Sequence, residues 1–170
     1  MGEQYVRSST LESTRNKLSI APVHVQELMQ SLGPSSSWVE SLIQDASDSW
    51  TLHSSDGLRI AMIFNLEASR LLLSALLGQP DESHQPVIYT TMLCLNLLHA
   101  EDNSLRVALT EPGGELMLIS EVSLAEWTIA SLQQAILYFH QHASRLIEEI
   151  NGIAEIDTIP EVSTRDFLRA

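Results

Sequence analysis

Apolar positions along the chain change period abruptly at Ser123. From Glu115 to Val122 they alternate as a strand does, with Leu116, Leu118 and Val122 on one side and Met117 and Ile119 on the other. Beyond that point Ile129, Leu132, Ile136, Phe139, Ala143, Leu146 and Ile150 recur at spacings of three and four, one stripe along a helix of about seven turns. Ser123 and Glu126 have capping-box spacing, and Val122 with Trp127 flank the box as a hydrophobic staple. Asn151-Gly152, which tolerate a left-handed backbone, predict the end of the helix. A helix this long needs a partner along its length, either the protein's own sheet or a second helix in a coiled coil.

Upstream the pattern gives shorter elements. Pro22 opens a helix on which Val25, Leu28, Met29 and Leu32 follow the i, i+3, i+4, i+7 rule until Gly33-Pro34. Ser37 and Glu40 form a second capping box, which predicts a brief helix over Trp38 to Ala46 carrying Val39, Leu42 and Ile43. Three strands then read as an antiparallel meander. Trp50 to Ser54 alternates, Ser55-Asp56-Gly57 turns the chain, and Leu58 to Phe64 and Leu71 to Leu77 follow. In the last of these Leu72 and Leu76 oppose Leu71, Leu73, Ala75 and Leu77, too much apolar surface for a sheet with one wet face. Another molecule is therefore expected to cover part of it.

Pro86 begins a helix to about His99 with Ile88, Met92 and Leu95 on one face, while Cys94, Leu97 and Leu98 carry the apolar surface around it. Such a helix in a small domain suggests a subunit interface. Leu105, Val107 and Leu109 alternate as a further strand, and Glu111-Pro112-Gly113-Gly114 turns the chain into the strand at Leu116. The fold class is α+β, an antiparallel sheet with helices in the order α-(α)-β-β-β-α-β-β-α. Residues 1–21 read as a flexible polar arm, 22–151 as the folded domain and 152–170 as an acidic tail.

Composition narrows the chemistry. A chain of 170 residues buries about two thirds of its unfolded surface as one domain, so it needs neither metal nor disulfide to fold. Cys94 is the only cysteine, which points to a reducing cytoplasm. No apolar run suggests a signal peptide or a membrane span. A net charge of −13 with nine scattered Lys and Arg argues against nucleic acid and anionic membranes. His140 and His142 are two apart on a helix, which turns their rings in different directions, and no metal-binding spacing accompanies them. Cys94 reads as a small buried apolar residue, and Glu148 with Glu149 as a solvated helix face. No nucleotide or dinucleotide glycine pattern and no nucleophile elbow occurs, so no enzyme activity and no cofactor are expected.

The segments DGLRIAMIFNLEASRLLLSALLGQP, YTTMLCLNLL and GGELMLISEVSLAEWTIASLQQAILYFHQHASRLIEEI, in this order, resemble the class I type III secretion chaperones of Gram-negative bacteria, the Tir-chaperone-like family. The most specific pieces are Leu71 to Gly78, the Leu95-Asn96 step and the strand-to-helix passage around Leu116 to Trp127. The 20-residue arm, the extra helix at Trp38 to Ala46 and the long tail depart from the family pattern. The resemblance implies a cytoplasmic bacterial homodimer that binds the N-terminal segment of a secreted effector in extended form and hands it to the export ATPase. On that reading the effector would meet Val25, Leu28, Met29, Trp50, Leu52, Ile60, Met62, Leu71 and Leu73. The dimer would form through Ile88, Met92, Leu95, Leu105, Val107 and Leu109. Alternation does not say which face is outward, so each of these residues is equally a core candidate. A protein-binding adaptor of YbjN-like fold, unrelated to secretion, is the alternative.

Overall fold

The computed structural model describes residues 22–100, 105–124 and 128–156. The arm over 1–21, the far end of the tail, and the Glu126 and Trp127 partners of the expected box and staple lie outside the described residues. The elements are α1 (Pro22–Ser35), β1 (Val39–Ala46), β2 (Ser49–Ser54), β3 (Arg59–Asn65), β4 (Arg70–Gly78), α2 (Gln85–Leu98), β5 (Arg106–Leu109), β6 (Leu116–Ser123) and α3 (Ile129–Ile156). The six strands form one antiparallel sheet in the order β1-β2-β3-β4-β6-β5, so the α+β class holds.

The helix expected at Trp38 to Ala46 is instead a strand, β1. Its capping box is locally sound, but Ser47 and Asp48 reverse the chain in two residues. That lets β1 pair with β2 along its whole length, Leu42 beside Leu52 and Gln44 beside Trp50. A cap is worth about 1 kcal/mol, less than a ladder of backbone hydrogen bonds combined with the strand preference of Val39 and Ile43. With β1 in place only three residues separate the first helix from the first strand, and the extra-helix departure disappears.

Both ends of α3 also differ from expectation. Ser123 is the last residue of β6, and the helix starts at Ile129. Its cap is Thr128, whose Oγ1 accepts from the Ser131 N–H at 3.2 Å while the Thr128 N–H donates to Ser131 Oγ at 2.9 Å. This is the reciprocal geometry of a capping box, with serine where glutamate is usual. At the other end the helix does not stop at Asn151-Gly152 but runs through them to Ile156. A helical glycine costs about 1 kcal/mol relative to alanine. Burial of one leucine-sized side chain contributes about 1.5–3 kcal/mol, and Leu146 and Ile150 are both buried in the adjacent turns.

By contact the chain divides into two compact units, residues 1–73 with 121–137 and residues 74–120 with 138–170. In the first, β2 and β3 alternate strictly. Trp50, Leu52, Ile60, Met62 and Phe64 are buried, and the register places Trp50 opposite Met62 and Leu52 opposite Ile60. Gly57, at φ +89°, supplies the left-handed residue of the β2–β3 turn. There the Leu58 N–H donates to Asp56 Oδ1 at 3.3 Å, and the buried Ser54 hydroxyl donates to the Leu58 carbonyl at 3.0 Å. Val25, Leu28, Met29 and Leu32 form the buried stripe of α1, which packs on β1. In the second unit the core is built from Leu77, Ile88, Met92, Val107, Leu118 and Phe139, among others, and α2 packs on β5.

Candidate peptide-binding groove and subunit face

The first unit ends at an edge strand. Of its eight residues β1 buries none, and it carries register shifts between Val39 and Ser41 and between Gln44 and Ala46. Such bulges limit the regular ladder to Ser41–Gln44, a short edge of the kind a single added strand can extend. Beside this edge lies a groove of about 440 Å³ lined by Met29 and Gln30 of α1, Glu40, Ser41, Leu42 and Gln44 of β1, and Trp50 of β2. Leu42 and Gln44 share the face of Leu52 and Trp50, by register, so a strand added outside β1 would turn alternate side chains toward α1. Leu42 is the apolar side chain partly exposed in it, with Met29 and Trp50 buried behind, and the rim is amide and carboxylate. On the opposite face the register sets the half-exposed Ile43 beside Thr51 and Ala61. Asp45 accepts a hydrogen bond from Thr51 Oγ1 at 2.7 Å on the same strand pair.

The nine residues expected to meet an effector are all buried, none more than 4% exposed. Met29 and Trp50 line the groove. Val25, Leu28, Leu52, Ile60, Met62, Leu71 and Leu73 are buried among the core residues, the apolar side that the folded chain keeps for itself. Sequence reasoning missed Gln30, Glu40, Ser41, Leu42 and Gln44 as a lining. Reading residues 39–46 as a strand would have put Leu42 and Gln44 on one face, but nothing in the pattern brings Gln30 of α1 beside them.

In the second unit Ile88, Met92, Leu105 and Val107, expected at a dimer interface, are likewise buried within the chain, Leu95 is half-buried and Leu109 is 38% exposed. The outward side of α2 carries instead Val87, Leu93 (69% exposed), Cys94, Leu97 (75%) and Leu98 (80%). Asn96, between these two faces, donates from Nδ2 to the Val107 carbonyl at 2.9 Å and accepts from the Val107 N–H at 2.7 Å through Oδ1. Its amide thus takes the N–H and C=O that an edge residue of β5 would otherwise leave unpaired.

The polar side chains singled out earlier have ordinary surroundings. His142 Nδ1 lies 2.9 Å from the Tyr138 carbonyl oxygen, and its ring meets that of His99 edge-on at 6.3 Å. Glu149 pairs with Arg145 one turn earlier at 2.9 Å. Among the described residues no group of three His, Cys, Asp or Glu is placed to hold a metal ion, and no helix is long and apolar enough to cross a membrane.

A family model described as Tir chaperone protein (CesT) matches residues 25–146. Among solved structures the chain is similar to one in the crystal structure of the ExsC–ExsE complex, with a TM-score of 0.63 and 17% identity over 76% of this chain and 96% of that one. A chain of the HopA1–SchA chaperone–effector complex matches with a TM-score of 0.58 and 16% identity, covering 75% and 96% of the two chains. YbjN from E. coli shares the fold at a TM-score of 0.54 and 14% identity, covering 82% and 97%. No curated protein matches the sequence.

Proposed function

The chain belongs to the Tir chaperone protein (CesT) family, and from that premise we propose that it is a cytoplasmic type III secretion chaperone. It holds an N-terminal segment of a secreted effector as an extended strand and presents it to the export ATPase without hydrolysing nucleotide itself. The observation that carries this reading is the bulged, unburied edge of β1 beside a groove in which the half-buried Leu42 lies over the buried Met29 and Trp50. Main-chain hydrogen bonds to a sheet edge give affinity with loose sequence demands, and side-chain pockets at alternate positions add selectivity. A client segment held as a strand cannot complete its own fold there. Each leucine-sized anchor contributes about 1.5–3 kcal/mol, so a few anchors outweigh the cost of ordering the segment, about 2–5 kcal/mol.

The same proposal includes a homodimer formed through α2. Leu93, Leu97 and Leu98 project from its outward side, more apolar surface than a single subunit leaves bare without a partner. A second copy covers it, and two copies present two grooves to one client.

Deleting the gene and comparing proteins exported through the secretion system tests the function. The expected result is loss of one or a few secreted proteins, each of which forms a complex with a two-chain assembly of this protein. Unchanged export, with the protein bound to a cytoplasmic partner instead, would favour a secretion-independent adaptor. Leu97→Asp is expected to weaken the dimer more than tenfold in sedimentation equilibrium, because it places a charge at the centre of the apolar face.

A further inference from the structure

From Pro22 to Leu58 the chain holds five carboxylates, Glu27, Glu40, Asp45, Asp48 and Asp56, and no lysine or arginine. These residues make up α1, β1 and β2, the elements that line the groove. Glu40 is exposed on its rim, and Glu27, Asp45 and Asp48 are exposed in the same unit. A strand added to β1 would therefore lay its apolar side chains along Leu42, toward the buried Met29 and Trp50, while every ionised neighbour contributed by these elements is negative. An alternating peptide with acidic residues would be repelled, and one with basic residues attracted.

We propose that the groove selects extended client segments with apolar residues at alternate positions and lysine or arginine between them. This inference rests on the reading of the groove as a peptide site and names the class of segment it takes. Leu42 sets the two-residue period, because only alternate side chains of an added strand face α1. Asp45, which meets Thr51 on the face of β1 away from α1 where the intervening side chains would lie, sets the charge preference at close range, and Glu40 with the remaining carboxylates adds a longer-range field that speeds encounter.

The test uses the full-length protein and two fluorescent ten-residue peptides, one alternating leucine with lysine and one alternating leucine with glutamate. Binding is followed by fluorescence anisotropy at low and high salt. The lysine peptide should bind about tenfold more tightly at low ionic strength, with the difference largely lost near molar salt. Asp45→Lys should cut the preference to about threefold or less, whereas Glu67→Lys, the same charge change on the exposed β3–β4 connection of the same unit, should retain most of it. If both variants reduce the preference equally, bulk charge and not the groove decides, and the proposal fails. If the two peptides bind equally well, charge selection is overturned while the peptide groove stands. If neither peptide binds, the groove reading and the selection fall together.

Discussion

At one end of the sheet β5 has four residues, and the Asn96 side chain of α2 takes both the N–H and the C=O of its Val107. At the other end β1 has eight residues, all at least partly exposed, with a bulge toward each end of its pairing and a groove alongside. Edge strands invite pairing with other chains, and proteins either close them or restrict them. Here one edge is closed from within by a single amide. The other is shortened by bulges to a regular run of Ser41–Gln44, which in our reading is long enough for a client strand and too short for open-ended association. In our proposal the difference ties each edge to a role: β5 to holding the subunit together beside α2, and β1 to receiving a client.

That contrast can be broken from either side. The largest effect is expected at the closed edge. Asn96→Ala leaves a buried or half-buried N–H and C=O without their partner, at a cost of about 1–3 kcal/mol. In a chain of this size thermal unfolding should fall by roughly 2–12 °C, with leucine–lysine peptide affinity unchanged. At the receiving edge, Leu42→Asn removes an apolar contact from the groove without adding a charge and should weaken that peptide more than tenfold, about 1.5–2 kcal/mol. Because Leu42 is only half-buried, the melting temperature should move little. The smallest effect is expected from Ile43→Thr, on the face of β1 away from the groove, where stability and peptide affinity should each change by less than about 0.5 kcal/mol.

Much of the fold is legible in the pattern of apolar residues. Six of the seven residues of the stripe on α3 are buried, and only Ile129, in the first turn, stays exposed. The meander follows the alternation of β2, β3 and β4. What could not be read depends on partners distant in sequence. Val39–Ala46 satisfies local rules for a helix, and only the ladder with β2 makes it a strand. Ser123 has capping-box spacing with Glu126, yet β6 keeps Ser123 in the sheet and Thr128 caps the helix.

The site was harder to read for a related reason. Alternation names two faces and leaves the fold to choose between them, and it keeps the richer face, Leu52, Ile60, Met62, Leu71 and Leu73, for the core. A groove lining of Gln30, Glu40 and Gln44 carries no apolar signal at all, and appears only when α1 is laid beside an edge strand. Likewise Leu95-Asn96 is visible as a family feature in the sequence, whereas the work of Asn96, pairing with Val107, is a tertiary contact across eleven residues.

Amide hydrogen exchange with and without the leucine–lysine peptide tests the central claim most directly. The free protein should show fast exchange at the amides of Ser41–Gln44 that point away from β2 and slow exchange at Val107, whose N–H is held by Asn96. Saturating peptide should slow exchange within Ser41–Gln44 by about tenfold or more, following its occupancy, and leave β5 unchanged. Protection confined to α2 or β5, or none on β1 at saturation, would contradict the account.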